Sequence, residues 1–198
     1  MGEVSESNPR LLIPSPLRYG QGSSPLVTYS LIAANALAYL LLLAGGDPLY
    51  AALAQTGSTF FSGEYWQVFT AMFVHFDFLH IAFNMYALYY FGRLNEVAYT
   101  RAEYLAIYLG AGLLGNALSL VLIPPNIQTG GASGAIFGLI GSYAARNRSG
   151  ASMALALVYA LFIFLASSGP GVNIYAHLFG IVGGFALGLL FTRIRGVE

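Results

Sequence analysis

The sequence predicts an all-α, polytopic membrane protein, a bundle of six transmembrane helices. Three observations predict it. Of 198 residues, 57% are hydrophobic and only 8% charged, against about 25% charged in a soluble domain, and the mean hydropathy is +0.68. The apolar residues fall into six separate stretches, and backbone groups in lipid must be satisfied within each stretch, which makes each a helix. All eight basic residues are arginines, and they keep to alternate connections. Arg10 and Arg18 precede the first stretch, and Arg93 and Arg101 separate the second from the third. Arg146 and Arg148 separate the fourth from the fifth, and Arg193 and Arg195 follow the sixth. The other three connections carry none, so the positive-inside rule puts both termini in the cytoplasm.

Residues 1–25 form a short polar, proline-dotted cytoplasmic segment without the apolar core of a cleavable signal peptide. The membrane domain is expected over 26–192, and 193–198 form a cytoplasmic tail. The first stretch runs from Leu26 to about Ala44, after Pro25. The connection from Gly45 to Trp66 is the only long outer loop. Within it Leu49–Ala54 reads as a short apolar helix or as an ordinary connection, and Thr59-Phe60-Phe61 adds greasy surface. Such a loop is expected to lie partly embedded in the membrane interface, with Trp66 as an aromatic-belt anchor. The second stretch, about Val68 to Phe91, is interrupted by His75, Asp77, His80 and Asn84. The third, about Tyr104–Ile123, stops at Pro124-Pro125. The fifth, about Ala151–Ala166, stops at Ser-Ser-Gly-Pro-Gly, and the sixth runs from about Val172 to Phe191.

The fourth stretch differs in kind. Ser133–Ala145 spans about 20 Å at 1.5 Å per residue, too short for about 30 Å of hydrocarbon. If Arg146 and Arg148 mark one membrane face, Ser133 lies on the order of 10 Å below the other. It sits in the glycine-rich run Gly130-Gly131-Ala132-Ser133-Gly134-Ala135-Ile136-Phe137-Gly138. A hydroxyl at a helix N-terminus, at that depth, calls for a function.

The histidines supply one. His75, His80 and His177 all map to the outer half of a stretch or its mouth. Ionisable groups within spans are costly and are functional candidates by default. His80 and Asn84, four apart, share one helix face. After His177, Gly180, Gly184 and Gly188 line one face of the sixth stretch, while Gly134, Gly138 and Gly141 line one face of the fourth. Small faces let membrane helices approach closely, which would bring His177 beside Ser133. A serine beside a histidine is a nucleophile and its general base. The free N–H groups at the helix start, with His80 and Asn84, would stabilise an oxyanion. No span offers a carboxylate to orient His177, so a dyad is expected rather than a triad. Asp77 reads as the N-cap of the following helix. Phe137 either packs on the imidazole or is a plain core aromatic.

Other chemistries are disfavoured. With no cysteine there is no disulfide or thiolate. His75 and His80 lack the spacing and the Glu of a helical zinc pair, so no metal and no cofactor are expected. A net charge of zero argues against nucleic acid. Asn35 and Asn116, polar within spans, are explained by hydrogen bonds between helices.

These residues resemble the rhomboid intramembrane serine proteases, in their minimal six-span prokaryotic form. Gly131-Ala132-Ser133-Gly134 matches the family's G-x-S-G, and His75, His80 and Asn84 match its H-x4-H-x3-N. Ala176-His177-Leu178-Phe179-Gly180, with Gly184, matches its A-H-x-x-G-x-x-x-G. The resemblance covers about residues 26–192. It implies Ser133 as nucleophile, His177 as general base, and His80, Asn84 and the Ser133 amide as the oxyanion-binding group. It gives His75 a structural role at the mouth of the site and fits Phe137 to the aromatic that packs on the catalytic histidine. Trp66 matches the Trp of the family's Trp-Arg pair, but Gln67 follows it here, a departure that bears on the anchoring of the first loop rather than on the dyad. The resemblance also points to a lateral opening near the second and fifth spans for substrate.

The expected function is therefore an intramembrane serine endopeptidase of a prokaryotic cell membrane. It would cut in or near transmembrane segments of other membrane proteins, with the bilayer and those proteins as its partners. The alternative is a non-catalytic relative, a membrane-protein binding or quality-control module, which has no need of an oxyanion site. A transporter would be built on internal repeats, and no convincing one is found. Substrate identity, cleavage site and oligomeric state are not legible in the sequence.

Overall fold

The computed structural model describes residues 25–147, 154, 158 and 172–196. The expected fifth stretch, apart from two isolated positions, and Arg10, Arg18 and Arg148 lie outside the described residues. Seven helices of four or more residues are described: α1 (Leu26–Leu53), α2 (Gly57–Phe61), α3 (Gln67–Thr70), α4 (Phe78–Ala98), α5 (Arg101–Ser119), α6 (Ser133–Arg146) and α7 (Ile174–Ile194). The fold among the described residues is all-α, with one isolated bridge between Gln55 and Thr129. By length and hydropathy, α1 and α7 are able to cross a membrane, and α3 with its 3₁₀ turn and α4 pass the same test only together, as a pair bent by 90° in the manner of a broken span or a re-entrant loop.

Helix α1 holds two limbs. Gly46 takes φ 60°, ψ −160°, and Pro48 follows, so the axis breaks there. The first limb is the expected span. The second carries Leu49–Leu53 and decides the open reading of that segment in favour of a helix. The second stretch is not one continuous helix. A 3₁₀ turn at Ala71–Phe73 ends in extended backbone at Val74. The chain then restarts at Asp77, whose side chain accepts from His80 N at 2.8 Å. That N-cap forces a new helix origin, so His75 lies in the break and His80 in the first turn of α4. At its other end α4 runs to Ala98, seven residues past the expected limit, because Asn95 is absorbed into the core. Helix α5 starts on a capping box formed by Thr100 and Glu103.

The ends of the helices sort into two groups. At one end Glu96 receives Val27 N, Thr28 N and Thr28 Oγ1, tying the start of α1 to the end of α4. There too Glu103 pairs with Arg195, joining α5 to α7, and Arg146 lies over the Tyr99 ring. All five described arginines belong to this end. At the opposite end lie the starts of α4, α6 and α7, and with them every histidine.

Helix α6 is the centre. Twelve of its fourteen residues are buried, a consequence of its position between α4, α5 and α7. Its contact with α7 is backbone against backbone. A Cβ on Gly180 would collide with the Gly134 carbonyl, one on Gly184 with the Gly138 carbonyl, and one on Gly141 with the Ile181 carbonyl. Asn116 bonds across to Val68 O at 2.8 Å, as expected of an interhelical polar residue. Asn35 donates within its own helix, to Leu31 O at 2.8 Å, and its side chain also faces the Tyr108 hydroxyl of α5.

Candidate active site

Ser133 opens α6 and His177 lies one turn into α7, both at the arginine-free end. The glycine-on-carbonyl contacts set these two helices at backbone distance, and the result is a hydrogen bond of 2.7 Å between Ser133 Oγ and His177 Nε2. Both side chains are buried. The Phe137 ring lies flat on the imidazole, with centroids 4.4 Å apart and planes 8° from parallel. His177 Nδ1 is buried and has no hydrogen-bond partner among the described residues. The ring is thus oriented by stacking and by the serine, with no carboxylate behind it.

The turn before Ser133 is fastened from three sides. Thr129 pairs with Gln55 through both backbone bonds, at 3.0 and 2.8 Å, and Gly131 N donates to Ala71 O at 2.8 Å. Ala132 N donates to His75 Nε2 at 3.4 Å. His75 is fully buried, so its ring acts as a prop under the turn. Gly131 takes φ +130°, which favours glycine. A Cβ there would also stand 2.8 Å from His80 Nε2 and 3.5 Å from Ser133 Oγ. The turn thus brings the Ser133 oxygen and the His80 nitrogen to either side of one point beside Gly131.

His80 is half-buried, stacked on Phe76 at 6.3 Å and edge-on to His75 at 5.0 Å. Asn84 is buried one turn along. One of its amide hydrogens goes to His80 O at 2.8 Å, leaving a second hydrogen, while its Oδ1 is unpartnered. Among the described residues no group of three or more metal-ligating side chains occurs.

Gln67 is where the chain departs from the family pair, and it does anchor the first loop. Fully buried, it accepts from Thr59 Oγ1 at 2.5 Å and from Thr56 N at 3.4 Å, and donates to Glu64 Oε2 at 2.6 Å and Ala51 O at 3.3 Å. The neutral amide thus ties the second limb of α1 to the start of α2. Trp66 remains half-exposed and donates its indole N–H to Ala52 O at 3.0 Å. The glycines Gly134, Gly180 and Gly184 all sit in the α6–α7 contact. Two features of the site's surroundings were not legible in sequence, the Gln55–Thr129 bridge and a buried Asn95–Ser142 pair.

Comparison with known proteins places the chain in a family. A rhomboid domain model matches residues 62–194. YdcA of Bacillus subtilis (strain 168) is 34% identical over 140 residues, covering 67% of this chain and 70% of its own. The rhomboid protease GluP of the same organism is 34% identical over 185 residues, covering 85% of this chain but only 36% of its own. Rhomboid-like protease 2 of Toxoplasma gondii is 28% identical over 145 residues, 69% of this chain and 51% of its own. The chain thus spans about a third to a half of the length of the latter two. By the domain match and these relatives, the chain belongs to the rhomboid family.

Proposed function

We propose that the protein is an intramembrane serine endopeptidase, cutting peptide bonds in or near transmembrane segments of other membrane proteins. The observation that carries the reading is the 2.7 Å bond between Ser133 Oγ and His177 Nε2. As Ser133 Oγ attacks the scissile carbonyl, His177 Nε2 takes its proton. The developing oxyanion is met by the Ser133 N–H at the start of α6, by His80 and by the free Asn84 amide hydrogen, donors fixed before the reaction starts. His177 then returns the proton to the leaving amine, and water releases the acyl group by the same route. Phe137 holds the plane of the imidazole through both transfers, supplying orientation but not the charge a triad carboxylate brings.

In this reading residues 26–192 form a six-span membrane domain. Both termini, 1–25 and 193–198, are cytoplasmic, in a prokaryotic cell membrane. The arginine-bearing helix ends support that orientation. The exposed Phe61, Tyr65, Trp66 and Phe69 suit a first loop partly embedded in the interface.

The test is incubation of purified protein, in detergent and then in liposomes, with a single-span substrate. Ser133→Ala and His177→Ala variants run alongside. Cleavage by the parent and its loss in both variants is the expected result. An inert parent with several substrates would favour the binding module instead. Cleavage surviving Ser133→Ala would remove the proposed nucleophile.

A further inference from the structure

The reaction proposed above needs two distances, serine to histidine and serine to oxyanion donors. The first belongs to α6 and α7. The second belongs to α6 and α4, and neither His80 nor Asn84 is hydrogen-bonded to α6 itself. Toward the opposite end of the same two helices lies a polar contact the reaction does not use. Asn95 Nδ2 donates to Phe91 O at 2.8 Å and to Leu139 O at 2.9 Å, and Asn95 Oδ1 accepts from Ser142 Oγ at 2.6 Å. The Tyr99 hydroxyl adds a bond to Ser142 O at 2.9 Å. Asn95 and Ser142 are fully buried.

Such a pair fixes more than proximity. Apolar side chains between α4 and α6, such as Leu88, Phe91, Ile136 and Ile140, tolerate sliding because dispersion has no direction. A buried amide with three directed bonds does not slide, since any shift strands a polar atom in an apolar interior. Asn95 lies about three turns from Asn84 along α4, and Ser142 about two and a half turns from Ser133 along α6. A rigid helix carries the register from one end to the other.

We propose that Asn95 and Ser142 are positioning residues that set the register of α4 on α6, and thereby the place of His80 and Asn84 relative to the Ser133 oxygen. The inference rests on the protease reading for its kinetic consequence, while its geometric consequence stands apart. Misplacement by about 1 Å costs on the order of a hundredfold in rate. Ser142→Ala therefore lowers kcat about a hundredfold with KM unchanged. Ser142→Thr keeps the hydroxyl and restores kcat. In Asn95→Leu/Ser142→Ala both polar partners are replaced by apolar groups, so the unfolding midpoint returns toward the parent while kcat stays low.

The experiment measures kcat, KM and the unfolding midpoint of these variants beside the parent, together with imidazole resonances from isotope-labelled histidine. The His80 resonance moves in Ser142→Ala and in the double variant and returns in Ser142→Thr. Should Ser142→Ala not fold, the double variant and Ser142→Cys, which keeps the volume and weakens the bond, carry the test. A folded apolar variant with parental kcat, or with an unmoved His80 resonance, overturns the proposal. An inert parent would sink the protease reading instead, and the His80 resonance would still judge the register.

Discussion

Helix α6 is held on two sides by opposite means. Against α7 the contact is made by what is missing: Gly180 and Gly184 let the two backbones touch, and a Cβ on either would occupy a carbonyl oxygen of α6. Against α4 the contact is made by what is added, an amide and a hydroxyl that interlock in an otherwise apolar seam. At Gly180 and Gly184 the first seam has no room for an extra atom, and the second has no tolerance for a lost one. Close approach without side chains sets a distance. Directed hydrogen bonds set a register. The proposed site, which draws a nucleophile, a base and an oxyanion group from three helices, needs both.

The largest effect should follow from adding one methyl to the glycine seam. In Gly184→Ala the new Cβ collides with the Gly138 backbone, which has no flexible end to swing away. Overpacking costs about 1–3 kcal/mol where side chains are able to adjust, and more where they are not. Little folded protein is expected, and what folds should lack turnover. Circular dichroism and the unfolding midpoint in detergent would check it. A folded, active Gly184→Ala would mean that the two backbones do not touch.

The next effect tests whether the first loop is held like the α4 seam, by polar bonds. Gln67→Leu keeps the bulk but strands Thr56 N, at a cost of about 1–3 kcal/mol, while the Thr59 hydroxyl keeps its bond to Thr56 Oγ1. The unfolding midpoint should fall and activity with it, since Thr56 adjoins the Gln55–Thr129 bridge that fastens the serine turn. Gln67→Arg, the residue the family resemblance implies, keeps donors for Glu64 and Ala51 O but offers no acceptor to Thr56 N, so it should recover only part of the loss. If Gln67→Leu matches the parent in both measurements, the loop is held by its aromatics alone.

A smaller effect isolates the stacking of Phe137 on His177. Phe137→Leu leaves His177 in place but without a flat surface beneath it. Aromatic pairs contribute about 0.5–1.5 kcal/mol beyond their buried area, so kcat should drop by roughly two- to tenfold. Phe137→Tyr should keep most of the parental rate. An unchanged kcat in Phe137→Leu would make the ring an ordinary core residue.

The glycine seam and the site were legible in sequence because each is periodic or motif-bearing. Glycines spaced by four announce a helix face, and Ser133, His177, His80 and Asn84 stand out as polar groups in apolar stretches. The register device was not legible. Asn95 lies between Arg93 and Glu96, so local polarity reads as a connection, and only the tertiary fold buries it. Ser142, a small residue among glycines and alanines, looks like one more member of a small face. The break at Val74–Asp77 was half-legible: Asp77 reads as a cap, yet hydropathy carries the stretch across it. Gln67 shows the converse, where a departure from a motif is offset by bonds that no spacing rule records.

The smallest expected effect sharpens the comparison most. Gly134 belongs to the same α6 stripe and adjoins the nucleophile, yet a Cβ there would stand 3.4 Å from Ala176 O and 3.6 Å from Ala176 Cβ, ordinary contacts. Alanine is the better helix former by about 1 kcal/mol, which offsets any slight crowding. Gly134→Ala should therefore fold, unfold within a few degrees of the parent and keep most of its turnover, while Gly184→Ala, the same substitution on the facing stripe, fails. Measured side by side, the two variants separate a rule about small residues from a rule about space. If both fail alike, the stripe acts through glycine's backbone rather than its volume. If Gly184→Ala alone fails, the seam is a steric fit made at the few points where carbonyls of α6 meet the missing side chains of α7.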